Sequence, residues 1–149
     1  MSSPLTRILV VDDYMPWRTF VSLALGVNPQ FQIVGDAQDG ITAIQKVIEH
    51  KPDLVILDIG LPDISGVTVA EEILKFAPST KAIFLTENTS PDIVRAALTT
   101  GAQGYVVKSS AARDLIPALE AVMLNAYFVS AAATSPGVRN LFHNPRTDH

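Results

Sequence analysis

The sequence predicts an α/β fold, a five-stranded parallel sheet that is doubly wound, with five helices packed over its two faces. Three observations predict it. Short runs of consecutive apolar residues recur along the chain; stretches of helical periodicity separate them; and five such strand–helix pairs follow one another. Runs such as RILVV (7–11) and LVIL (54–57) do not alternate polar with apolar residues, so each reads as a strand buried on both faces.

The elements follow in order. RILVV (7–11) is the first strand, and PWRTFVSLALG (16–26) the first helix, with Pro16 tolerated in its first turn and Gly26 at its end. FQIVGDA (31–37) is the second strand. In DGITAIQKVIEHK (39–51), Ile41, Ile44, Val47 and Ile48 fall on one helical face and Asp39 is placed to cap it. After the third strand, LVIL, the helix SGVTVAEEILKFAP (65–78) starts from Ser65 and must stop by Pro78. KAIFLT (81–86) is the fourth strand. SPDIVRAALTTG (90–101) has the serine cap, first-turn proline and glycine stop of a helix. GYVVK (104–108) is the fifth strand and SAARDLIPALEAVMLN (110–125) the fifth helix, which Pro117 should kink or delay. One domain is expected over 5–127. The tail from 128 to 149, with Pro136, Gly137 and Pro145 and no sustained period, is expected to be irregular and at most lightly docked.

Composition narrows the function. With 48% hydrophobic and 17% charged residues in 149, the chain can bury a proper core. A net charge of −4 argues against a nucleic-acid surface on this chain. Cysteine is absent, which removes disulfides and thiolate metal sites and fits a reducing cytoplasm. No apolar run approaches the roughly 18 residues needed to cross a membrane.

Polar residues stand where the strands end. In a parallel sheet all C-terminal strand ends share one edge, and ligands bind in the crevice there. The first strand ends in Asp12-Asp13, the third in Asp58, the fourth in Thr86 and the fifth in Lys108. Three carboxylates so close repel one another unless cations join them. Lys108 supplies one positive charge, and a hard divalent ion is the natural second, because Mg²⁺ takes one or two carboxylates and keeps open positions for phosphate oxygens. A carboxylate beside a held phosphoryl group can itself be the nucleophile. Gly60 would let the loop approach closely enough for its carbonyl to join the metal. Each signal alone has a plainer reading, such as a helix cap, a turn threonine or a solvated lysine. Their arrival at one edge from four strands favours the phosphoryl site.

At these residues the chain resembles the receiver domain of two-component response regulators. VVDD (10–13), LDIGLPDISG (57–66), FLT (84–86) and GYVVK (104–108) match the family's motifs in order, over about Arg7 to Asn125. The resemblance implies a flavodoxin-like strand order 2-1-3-4-5. It implies Asp58 as phosphoacceptor, with Lys108 and Thr86 engaging the phosphoryl group. Asp13, Asp58 and the Gly60 carbonyl would bind Mg²⁺, or Mn²⁺ in its place, with Asp12 acting through water. Tyr105 would turn inward as Thr86 moves. It further implies a histidine kinase or phosphotransfer protein as donor. The output would be a downstream protein or a second copy, read through the face of the fourth helix, fifth strand and fifth helix. Such a protein is an enzyme only in phosphorylating itself and losing the phosphate. Gly60 and Asn88, which flank the path of an attacking water, carry no acid or base, so the phosphoaspartate should last minutes or longer.

The chain departs from the family pattern in three places. Glu87 stands after Thr86, where a small residue is common. Ser109 follows Lys108, so no cis peptide is assumed there. The segment 108–122 is most similar to receivers that carry a helix-turn-helix output, yet only a short tail follows, which leaves open a stand-alone receiver or part of a longer DNA-binding regulator. Two other readings remain: an interaction module that keeps the fold without the phosphate switch, and a phosphatase of the haloacid-dehalogenase type, which would want Asp-x-Asp on the first strand.

Overall fold

The computed structural model describes residues 5–139. Six strands, β1 Thr6–Val11, β2 Phe31–Ala37, β3 Leu54–Leu57, β4 Lys81–Thr86, β5 Gly104–Val107 and β6 Phe128–Val129, form one sheet in the order β2-β1-β3-β4-β5-β6. Every neighbouring pair is parallel. The helices are α1 Met15–Gly26, α2 Gly40–His50, α3 Gly66–Phe76, α4 Pro91–Thr99, α5 Ala111–Met123 and α6 Pro136–Arg139.

The alternation of side chains along each strand divides the core in two. Leu9, Val11, Val55, Leu57, Phe84, Tyr105 and Val107 pack beneath α2, α3 and α4. Ile8, Val10, Leu54, Ile56, Ile83, Leu85 and Val106 pack beneath α1 and α5. All four residues of β3 are buried, which is why LVIL shows no polar alternation. Two caps act as expected: the Asp39 carboxylate accepts from Thr42 N at 2.8 Å, and Ser65 Oγ accepts from Val67 N at 3.2 Å.

Several expectations are corrected. The sheet has six strands rather than five. The stretch after 127, expected to be irregular, adds β6 to the edge of β5, then a 3₁₀ turn at Ala131–Ala133 and the short α6, which packs on α4. Gln103 O and Tyr105 O would otherwise lack a sheet partner; they accept from Phe128 N and Ser130 N, both at 2.9 Å. Residues 140–149 of that tail lie outside the described residues. On α2, Ile41 and Ile48 are exposed, because the face turned to the core is Gly40, Ala43, Val47 and half-buried Ile44, the i, i+3, i+4, i+7 stripe of one helix side. Ser90 holds the N-cap position of α4, yet its side chain makes no cap bond, and Asn88 Oδ1 instead accepts from Ser90 N at 2.9 Å. Helix α5 runs unbroken across Pro117. β5 ends at Val107, so Lys108 opens a 3₁₀ turn rather than closing the strand.

Candidate functional site

The C-terminal ends of β1, β3, β4 and β5 bring Asp12, Asp13, Asp58, Thr86 and Lys108 to one edge of the sheet. Asp13, Asp58, Thr86 and Lys108 line an open cleft of about 510 Å³ together with Tyr14, Trp17, Ile59, Gly60, Glu87 and Asn88. One oxygen of each of Asp12, Asp13 and Asp58 lies within 4.8 Å of the others.

Lys108 holds the centre. Its Nζ sits 2.9 Å from Asp12 Oδ2 and 2.9 Å from Asp58 Oδ2, and all three side chains are nearly enclosed. The Trp17 ring lies against the same ammonium, with its centroid 5.0 Å away. Burial works against the Lys108 charge, but hydrogen bonds and the charges of Asp58 and Asp12 leave its pKa raised. Asp12 is also raised, by burial first, with Lys108 and the Tyr14 amide opposing and the Asp58 charge adding to the shift.

The carboxylates are not equivalent. Asp12 Oδ1 accepts from Tyr14 N at 2.9 Å and Asp58 Oδ1 from Ile59 N at 2.7 Å, so both acids have protein donors on both oxygens. Asp13 is exposed and accepts no hydrogen bond among the described residues. Three carboxylates against one ammonium leave the cleft negative, and all the acidic donors are hard oxygens. That donor set fits Mg²⁺.

Thr86 is 4% exposed, and its hydroxyl has no protein partner among the described residues. No buried side-chain polar atom there is left unpaired, so this hydroxyl reaches the cleft. Glu87 is exposed at the mouth. Tyr105 is fully buried and turned inward: its ring lies 6.1 Å from that of Phe84, and its hydroxyl donates to Asn88 O at 2.7 Å. Burial, then the nearby Asp58 charge, push its phenol well above the usual range.

The glycine requirement differs from the expectation. A Cβ at Gly60 would meet nothing within 4 Å, so close packing does not demand glycine there. At Gly66 a Cβ would fall 2.0 Å from the Asp58 carbonyl oxygen, while Gly66 N donates to Ile59 O at 2.8 Å. The first residue of α3 therefore lies directly behind the Asp58 peptide, and only glycine fits. Asp63 is a second residue that sequence reasoning missed. Its carboxylate accepts from Gly40 N at 2.8 Å and Ile41 N at 2.9 Å, which ties the loop after Asp58 to the start of α2. These amide bonds lower its pKa. The turn-like LPDISG hinted at an anchor but not at its distant partner.

Known proteins resemble this chain in sequence and in fold. The model of the response regulator receiver domain matches residues 8–120. The oxygen regulatory protein NreC of Staphylococcus epidermidis is 33% identical over 143 residues, 95% of this chain and 66% of NreC. The transcriptional regulatory protein DegU of Brevibacillus brevis is 30% identical over 128 residues, 86% of this chain and 54% of DegU. The chain thus spans less than two thirds of either relative. The isolated REC domain of RcsB from Salmonella enterica serovar Typhimurium, solved with the phosphomimetic BeF₃⁻, superposes with a TM-score of 0.82 at 25% identity, over 93% of this chain and 99% of that one.

Proposed function

Because the chain belongs to the response regulator receiver family of two-component systems, we propose that it is a phosphoacceptor whose Asp58 takes a phosphoryl group in the presence of Mg²⁺. The observation that carries this reading is Lys108 Nζ held 2.9 Å from both Asp12 and Asp58 in a cleft open to solvent. An Asp58 oxygen attacks phosphorus as the P–N bond of a phosphohistidine breaks, and the departing imidazole keeps the electron pair and takes a proton from solvent. Lys108 and the Thr86 hydroxyl then hold the new phosphoryl oxygens. Mg²⁺, held by Asp13, Asp58 and the Gly60 carbonyl with Asp12 behind water, would neutralise charge as the bond forms. The donor is a histidine kinase or a phosphotransfer protein. The readout is carried by the α4–β5–α5 face toward a protein target or a second copy. The receiver unit spans 5–127, with the segment beyond it an attached element.

Glu87 supports a second reading. A carboxylate at the mouth of an already acidic cleft opposes an incoming phosphate, as expected of a module that keeps the fold without the switch. The relatives named above, a transcriptional regulator among them, also favour this chain being the receiver part of a DNA-binding regulator.

Intact mass after incubation with Mg²⁺ and a small acyl phosphate separates these readings. Gain of one phosphoryl group, absent in Asp58→Asn, supports the phosphoacceptor. Trp17 quenching by Mg²⁺ without any mass gain points to a working metal site closed to small donors. Neither signal leaves the interaction module.

A further inference from the structure

The face assigned above to partners is already partly occupied by the chain itself. β6 lies against β5 with Tyr105 paired to Val129, and Ser130 N donates to Tyr105 O at 2.9 Å. Ser130, 1% exposed, is the hub of this junction. Its hydroxyl accepts from Val107 N at 3.0 Å and donates to the buried Asp114 of α5 at 2.8 Å. Beyond it, Ala133 (3% exposed) and Val138 (0%) join the same apolar cluster as Tyr105, Val94, Ala97 and Leu98, and α6 packs on α4.

This arrangement constrains one side chain in particular. The Tyr105 ring points toward β4, where it packs near Phe84. Its other course would carry it past β5 toward the sheet edge, and there Val129 stands beside it on the same face of the sheet. With the segment docked, Val129 borders the ring on that side, and Ala133 and Val138 share its apolar cluster.

We propose that residues 128–139 are an intramolecular occupant of the α4–β5 face whose docking holds Tyr105 inward, so that tail docking and occupation of the Asp58 site strengthen each other. The inference rests on the phosphoacceptor reading for its second half. If both events favour one position of Tyr105, each must raise the affinity of the other by the same factor. A partner that needs the bare face must displace the segment, and one that reads the phosphorylated form meets a surface built partly from it.

The test uses the full chain, with Mg²⁺ and beryllofluoride as the phosphoryl mimic. Hydrogen exchange at the Phe128 and Ser130 amides should slow when the mimic binds; unchanged or faster exchange overturns the coupling. Val138→Asp, which unseats α6 at the end of the described chain, should weaken beryllofluoride binding at least about fivefold, the lower range of ordinary coupling. Equal affinity would overturn it. A ¹⁹F-tyrosine resonance, assigned with Tyr105→Phe, should move toward the solvent-exposed position in Val138→Asp without any ligand, and an unmoved resonance refutes the docking claim. If beryllofluoride leaves wild-type Trp17 fluorescence unchanged, the phosphoacceptor reading falls and takes the coupling with it. The ¹⁹F result still decides whether the segment holds Tyr105.

Discussion

Replacing Lys108 by methionine, which keeps the length of the side chain and removes the charge, is the most informative single change. In the native protein the ammonium is 6% exposed and answers two carboxylates, Asp12 and Asp58, at 2.9 Å each. Breaking a buried ionic group by deleting one partner costs about 3–5 kcal/mol, because the remaining charges stay desolvated. For a chain of this size that corresponds to a melting-temperature loss of roughly 6–20 °C. The loss has a direction in pH. Burial already raises Asp12 while Lys108 opposes it, so without the lysine the carboxyl rises further. A carboxyl raised above its unfolded value stabilises the fold at low pH, and that contribution is lost as pH rises through the raised value. The deficit of Lys108→Met should therefore grow from acid toward neutral pH and be partly relieved by Mg²⁺ at neutral pH. Urea unfolding followed by far-ultraviolet circular dichroism measures it without relying on Trp17, which touches the altered group. A deficit below about 1 kcal/mol, the scale of an exposed pair, or one that does not grow from acid toward neutral pH, would refute a central role for Lys108 in holding the acids.

Other expectations follow from the same geometry. Gly66→Ala, whose Cβ would sit 2.0 Å from Asp58 O, should lower the melting temperature and abolish Mg²⁺-dependent Trp17 quenching, whereas Gly60→Ala should change stability by no more than about 0.5 kcal/mol. Asp13→Asn should weaken Mg²⁺ binding at least about tenfold, since even outer partners of a metal are worth that much; without metal it should not lower the melting temperature, because one repelling charge is gone. Tyr105→Phe removes the bond to Asn88 O and should cost about 0.5–1.5 kcal/mol in urea. In alkaline titration, the absorbance difference between wild type and that variant should show no phenolate from Tyr105 until the protein unfolds. Burial and the Asp58 charge raise this phenol, so its contribution to stability is full below the unfolded value near 10 and falls as pH climbs above it.

The site was legible because it depends on topology rather than on detail. Once LVIL and its counterparts are read as parallel strands, Asp12, Asp13, Asp58, Thr86 and Lys108 must meet at one edge whatever their sequence separation. What escaped the sequence depends on particular contacts. β6 has two residues, Phe128 and Val129, too few for any periodicity to register. Asp63 caps a helix 22 and 23 residues earlier in the chain, and no local pattern announces such a partner. Sequence could show that the loop after Asp58 carries two glycines, but which one lies against the Asp58 peptide is a fact of packing. The same holds for α2: Ile41 and Ile48 look like core, and the helix turns them outward because its buried stripe runs through Gly40, Ala43, Ile44 and Val47 instead.

The two-residue strand β6 also bears on how the edges of the sheet are guarded. A row of unpaired backbone groups on a sheet edge invites the edge of another molecule, and Gly-Tyr-Val-Val of β5, buried throughout, would be an adhesive edge if bare. β6 covers the start of that row with a strand too short to recruit a neighbour. At the opposite edge, β2 breaks its register between Ile33 and Gly35 and presents Asp36 with Arg18 and Lys46 beside it, a bulge and charges that make a poor template for growth. A chain cut at residue 127 would lose the first of these guards, and its first symptom should be aggregation on concentration rather than loss of the acidic cleft.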